Sequence, residues 1–340
     1  MNRYAAYVDT LIEADVPILV LLKRQAGRGT SYFFASAMPD DDGDVAYYIV
    51  VSAKPSVVKR YFRGQCDLRF LYTYAKDAVF FCAGADDILS ERVKLVLFEG
   101  EVTEDHLPAP RLFSSSHTSD YGFEEGQSGE EVLFVDGEWE MPEFGDFYSR
   151  YSDVYLFLAS IERVTDKSVS QVARSRVQSA ITSKPFKGGG SYGGLFSDLR
   201  RALPYRERPG LDKINYASPG HMEIIGNSEI FGRLEGLVQN FLDHSKEIHE
   251  VHDKLRSFLS KGGFLKVNAR TPTLSQEQLG FVVSNSKALD ARLKLEAYSD
   301  LVQISEQNVL VVAKILLAVY RRLEFASRFF AQGRIGFEQS

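Results

Sequence analysis

Residues 188–193 read Gly-Gly-Gly-Ser-Tyr-Gly, and this short run fits two chemical patterns at once. Gly188, Gly190 and Gly193 have the G-x-G-x-x-G spacing of a dinucleotide loop, where missing Cβ atoms let backbone amides close on a pyrophosphate. Gly189, Ser191 and Gly193 have the G-x-S-x-G spacing of a nucleophile elbow, which lifts a serine hydroxyl onto a sharp strand-to-helix turn. Both patterns require a strand running into the loop. Here Pro185 and a helical pattern precede it, and the chain after Gly226 is again helical in pattern. No Lys-Ser or Lys-Thr follows the last glycine, so a P-loop is excluded. A simpler chemistry survives: inward-turned amides of a glycine run can hold an anion, and the helix of "LFSDLRRAL" would aim its N-terminus at the loop. The candidate anion or nucleic-acid site is Lys187, Gly188, Gly189, Gly190, Ser191, Arg200 and Arg201. The preferred reading is plainer, a flexible joint whose basic neighbours pair with an acidic segment upstream.

Other reactive side chains form no complete set. His249 and His252 stand three apart, the spacing of two ligands on one helical face, but His244 lies well around the helix and no matching carboxylate–histidine pair occurs elsewhere. A solvated charged face explains them. His221, beside Pro219-Gly220, reads as an exposed turn histidine. Glu138 and Glu140 straddle Trp139 and would share one face of a strand, where a cation or sugar could bind. No catalytic residue, metal site or cofactor is assigned.

The elements that must position these residues follow from pattern. The chain has 340 residues and a net charge of −6, with 44% hydrophobic and 25% charged residues, an ordinary globular composition. The molecule as a whole carries no basic footprint for nucleic acid. The two cysteines, Cys66 and Cys82, cannot build a disulfide framework, and the expected compartment is cytoplasmic. The N-terminal stretch carries Asp9, Glu13 and Asp15 and lacks the apolar run of a signal peptide. The most apolar stretch, Val309 to Tyr320, is interrupted by Lys314 and is too short to span a membrane.

The expected fold is α+β. Residues 1–112 form a β-rich N-terminal domain, an antiparallel meander with strands near 16–24, 31–38, 45–53, 78–84 and 93–102, and a short helix from Pro55 to Gly64. Residues 113–226 hold an acidic loop, two hairpins and basic helices. The first hairpin turns at Asp136-Gly137 and the second at Pro219-Gly220, as a type II turn with φ > 0 at the glycine. Helical spacing runs from Phe147 to Ile161 and again from Val169 to Ile181. Between 163 and 213 there are eleven Lys and Arg against four Asp and Glu. Residues 227–340 form a helical oligomerisation domain. In it Leu234, Phe241, Ile248 and Leu255 fall seven apart, as do Leu237, His244, Val251 and Phe258, a coiled-coil-like seam with His244 as its polar member. Gly262 is expected as the left-handed cap of that helix, Ser275–Gln278 as a capping box, and 306–332 as a buried helix.

Three blocks, "KPFKGGGSYGGLFSDLRRALP", "RPGLDKINYASPGHMEI" and "FRGQCDLRFLY", resemble segments of uncharacterised bacterial proteins associated with phage-defence and mobile gene neighbourhoods. The resemblance covers about a third of the chain and implies a bacterial, cytoplasmic accessory protein in antiviral defence. It carries no functional residue. The expectation is therefore a non-enzymatic binding or assembly protein that forms homo-oligomers through its C-terminal helices, with a protein partner as a further option and without a membrane. The alternative is a nucleic-acid- or nucleotide-binding effector using the basic Gly-rich region 163–213.

Overall fold

The computed structural model describes residues 3–14, 16–26, 29–40, 44–73, 79–114, 129–183, 192, 194–217, 219–265 and 274–337. The fold is α+β, and the chain divides into two compact units, 1–124 and 125–340.

The first unit is a closed six-stranded antiparallel barrel in sequence order: β1 (Arg3–Glu13), β2 (Pro17–Ala26), β3 (Gly29–Pro39), β4 (Val45–Ala53), β5 (Phe80–Gly84) and β6 (Val93–Leu97). The meander is as expected. Its closing strand is not: β1 pairs with both β2 and β6, and its sequence gave no strand signal. Register shifts at Tyr7/Asp9, Thr10/Ile12 and Ile12/Glu13 explain this, because each bulge breaks the two-residue alternation. Elsewhere the alternation sorts side chains cleanly. Val20, Leu22, Phe33, Ala35, Tyr48 and Val50 build one apolar cluster, while Leu19, Leu21, Phe34, Ile49 and Val51 build a second on the opposite face. Strands apolar on both faces need cover on both. The second face receives it from α1 (Pro55–Phe62) and α2 (Leu68–Thr73), through Val58, Tyr61, Leu68, Leu71 and Tyr72. The Tyr72 hydroxyl donates to the Phe34 carbonyl at 3.1 Å and bonds the Ser36 hydroxyl at 2.7 Å, so its polar end is satisfied in the core. Both cysteines are free thiols, and burial raises the pKa of each.

Among its described residues, the second unit sets a four-stranded sheet, ordered β10-β7-β9-β8, against the helices α3 to α9. The strands are β7 (Gly129–Val135), β8 (Gly210–Asn215), β9 (Gly220–Gly226) and β10 (Ile335–Phe337). The helices are α3 (Met141–Thr165), α4 (Gln171–Thr182), α5 (Leu195–Ala202), α6 (Ser228–Lys261), α7 (Gln276–Leu293), α8 (Tyr298–Ile304) and α9 (Val309–Ala331). Residues 113–226 and 227–340, expected as separate domains, share one apolar core: Leu133, Tyr155 and Leu199 from the first belong to the same cluster as Leu237, Leu289 and Leu316 from the second.

The hairpin at Asp136-Gly137 does not form. β7 pairs instead with β9 and β10, and the chain beyond the turn enters α3. Glu140 and Glu143 make a reciprocal capping box with Pro142 in the first turn, and that helix-start chemistry outweighs the hairpin signal. Glu138 and Glu140 therefore share no strand face. Arg334 fixes the corner. It lies over the Trp139 ring at 4.0 Å, donates to Glu143 at 2.9 Å and to the Glu138 carbonyl at 2.6 Å.

The β8–β9 hairpin forms as expected, but Gly220 is not in the left-handed region. Glycine is needed there for a different reason, because a Cβ would run into the backbone of Asn215 and Ala217. At the end of α6 the left-handed residue is Gly263, φ 71°, one beyond the expected Gly262. The Phe264 amide then reaches back to the Leu259 carbonyl at 2.9 Å, the six-to-one bond of a Schellman end.

The seam on α6 is a helical stripe of this chain's own core. Leu234, Leu237, Phe241, Ile248 and Leu255 are buried, with Val251 and Phe258 packed beside them, in the cluster that also holds residues of α7 and α9. A coiled coil is not confirmed among the described residues. His244, its expected polar member, is exposed and breaks the helix at φ −127°, ψ 25°. The heptad spacing thus spans two helical segments, not one continuous rod. His252 also departs from expectation. It is buried and stacked on Tyr320 of α9, ring centroids 3.7 Å apart, with Nδ1 bonded to Asp253 at 2.9 Å.

The barrel gives the clearest stability test. Phe34 is fully buried between Tyr61 and Phe62, so Phe34→Ala should destabilise the N-terminal unit by about 3–5 kcal/mol in guanidinium unfolding of the full chain. A loss under about 1 kcal/mol, the scale of an exposed substitution, would remove Phe34 from the packed core.

Candidate functional site

Of the expected anion site, Lys187, Gly188, Gly189, Gly190 and Ser191 lie outside the described residues. Arg200 and Arg201 are described, and the structure separates them. Arg200 is half-buried and close enough to Tyr148 of α3 to pull that phenol's pKa down, against the larger upward effect of burial. Arg201 lies on the exposed side of α5, its side chain 77% exposed.

Arg201 lines a groove of about 780 Å³ between α4 and α5. The other charged and hydroxyl groups there are Ser175, Arg176, Ser179, Ser183 and Asp198. Local sequence explains why these residues meet. Ser170 caps α4, its hydroxyl accepting from the Ala173 amide at 3.4 Å. Val177, Ala180 and Ile181 then bury one side of the helix. The opposite side must carry Ser175, Arg176, Ser179 and Ser183, at the one-turn spacing of a helix face. α5 is equally two-sided, with Leu195, Phe196 and Leu199 buried, Arg201 exposed and Asp198 mostly covered on the groove wall. Its ends are tied down. Arg208 donates to the Leu203 carbonyl at 2.8 Å, a cationic cap on the C-terminal end, and Arg163 pairs with Glu207 in the following turn. The Tyr192 hydroxyl donates to the Ile181 carbonyl, which joins the approach to α5 to the end of α4.

The electrostatics of the groove are uneven. Asp198 is in the first turn of α5, where a carboxylate suits the helix dipole, and it accepts from Arg201 at 3.2 Å. The expected anion at this helix end therefore meets a carboxylate already in place. Arg176 makes no ion pair among the described residues. Sequence reasoning counted Arg176 among the basic residues without placing it in the site. Its spacing of three and seven residues to Ser179 and Ser183 was the available signal.

A smaller cleft of about 190 Å³ lies beside Tyr155, Glu162, Arg163, Asp166, Glu207 and Asn227. Its polar groups are largely committed. Arg163 holds Glu207, Asp166 accepts from both the amide and the hydroxyl of Ser168 at 2.8 Å, and the Tyr155 hydroxyl accepts from the Asn227 amide at 2.7 Å. Burial raises the Glu162 carboxyl's pKa, and Arg233 opposes that shift. His221 pairs with Glu223 at 3.0 Å, and Glu223 also accepts from Lys213 at 2.9 Å. Among the described residues, no group of three or more His, Cys, Asp or Glu is placed to hold a metal ion. Among them also, no helix is long and apolar enough to cross a membrane. Comparison with protein-family models, curated proteins and solved structures gave no match.

One titratable group lies away from both clefts. Glu131 is on the inward side of β7, opposite Ile224, and interacts electrostatically with Glu235 of α6 and with Tyr151 of α3. Burial, and then the like charge of Glu235, push its carboxyl up to about 7. The buried Tyr151 hydroxyl makes no hydrogen bond among the described residues.

The folded chain keeps a proton on Glu131 that the unfolded chain releases at lower pH. This contribution to stability is complete at acid pH and is lost as pH rises from the ordinary carboxylate range through about 7. The melting temperature of Glu131→Gln should accordingly fall less than that of the unaltered protein over this window. Parallel curves for the two proteins would show that Glu131 titrates as an exposed carboxylate.

Proposed function

We propose that this chain is a binding protein whose ligand is a phosphate-bearing polyanion, taken up in the groove between α4 and α5. The observation that carries this reading is the pairing of Arg176 and Arg201 across a groove also lined by three serine hydroxyls. Guanidinium groups suit phosphate because their donors form a planar fork, and hydroxyls add bonds without opposing charge. The groove also lies in the part of the chain with eleven basic against four acidic residues, although the whole protein is at −6. That local excess gives an anion a favourable approach. No bond-making step is assigned to the site. The apolar stripe of α6 packs within the same chain, so it lends no separate support to self-association through the C-terminal helices. A place in bacterial defence, which the resemblance of three sequence blocks implies, is compatible with a polyanion binder.

Tripolyphosphate is a suitable first probe, titrated calorimetrically into the full-length protein. Binding should weaken steeply between about 50 and about 200 mM salt. Arg176→Ala combined with Arg201→Ala should lower affinity about tenfold or more, the equivalent of about 1.4 kcal/mol. Both side chains are on the outward faces of their helices, so the melting temperature should hold. An unchanged affinity in the double variant would place the ligand elsewhere.

A further inference from the structure

We infer that the occupant of this groove is the sugar–phosphate backbone of a single-stranded nucleic acid, held without reading of its bases. The inference rests on the polyanion reading above and narrows it. α4 has twelve residues, so it runs for about 18 Å at 1.5 Å per residue. Ser175, Ser179 and Ser183 are at i, i+4 and i+8 along it, a row of hydroxyls with steps of about 6 Å. Such a row suits a repeating chain of phosphates better than one compact anion. Arg176 adds a cation beside the first step of the row, and Arg201 adds a second from the facing wall.

The lining also indicates what is not read. Besides its serines and arginines it has Gln171, Val172, Ala180, Asp198 and Ala202, and among the described residues no aromatic ring. Proteins that grip single strands through the bases do so by stacking them on aromatic side chains. Here the contacts are of the kind made to phosphate and sugar, which set affinity and position but carry no sequence information. Asp198 has a defined place in this picture. It is a carboxylate on the groove wall, its side chain only 13% exposed, and it occupies Arg201. It competes with phosphate for that guanidinium and so limits how tightly a strand is held.

The test is fluorescence anisotropy on the full-length protein with labelled oligothymidylates of about 4 and about 16 nucleotides, lengths that bracket common single-strand site sizes. An oligoadenylate of the longer length, tripolyphosphate and a polyglutamate serve as comparisons. The longer oligothymidylate should bind more tightly than the shorter one, and the two bases should differ by less than about threefold. Arg176→Ala and Arg201→Ala should each lower the salt slope by about one. Asp198→Asn should bind the long strand more tightly than the unaltered protein, a gain that a damaged fold cannot mimic. Tripolyphosphate binding as tightly as the long strand, with no dependence on length, would overturn the nucleic-acid inference and leave the polyanion reading standing. Polyglutamate binding equally well, or a base preference above about tenfold, would overturn the inference too. Absence of binding to every probe would overturn both.

Discussion

The first half of helix α9 meets no water on any side, and the second unit is arranged around that constraint. Every residue from Leu310 to Tyr320 is buried, including Lys314. An apolar rod of this kind has to be surrounded, and α3, α6, α7 and α8 contribute to the cluster that surrounds it. The Lys314 ammonium donates to the Leu265 carbonyl at 3.1 Å, and burial draws its pKa down to about 8. This satisfies a carbonyl just past the end of α6 with a cation, the sign that a helix C-terminal end favours. Enclosure of α9 also explains why the apolar stripe of α6 faces inward within the chain.

The same requirement leaves α4 and α5 as an outer layer. Each buries one stripe, through Val177, Ala180 and Ile181 in α4 and through Leu195, Phe196 and Leu199 in α5. Their remaining faces are set by what is left over once those stripes are placed, and that remainder includes the serine row, Arg176 and Arg201. The groove is thus a by-product of amphipathic packing whose polar side carries a particular chemistry. Hydrogen bonds tie down its helix ends: Arg208 holds the end of α5 and Ser170 the start of α4.

The barrel unit follows a different logic. Strands β2, β3 and β4 are apolar on both faces, so neither face can meet solvent. Closure protects one face and the short helices α1 and α2 protect the other. Closure also leaves no free sheet edge, which removes the usual route by which exposed strands pair with other chains.

Much of this was legible in the residues themselves. Branched and aromatic runs marked β2 to β6, three- and four-residue spacing marked α3, α4 and α6, and Ser275 with Gln278 announced the start of α7. These signals are local, produced by neighbouring residues on one strand or helix. The failures were also local signals, overruled by something distant or by a stronger neighbour. Asp136-Gly137 resembles a hairpin turn until Glu140, Pro142 and Glu143 start a helix and β9 takes the place of the return strand. The heptad on α6 cannot show by itself whether its partner is a second chain or α7 and α9. The bulges of β1 erase alternation, so only its pairing with β2 and β6 reveals it as a strand. Of the residues that sequence singled out for an anion site, Arg201 lines the groove between α4 and α5. Tertiary structure set Arg200 against Tyr148, brought Arg176 into the groove and put Asp198 on its wall. Composition and periodicity determined which residues had to be buried and in which kind of element. Which buried face met which, and therefore which polar residues were left facing one another, depended on contacts between residues far apart in the chain, and no local pattern encodes those.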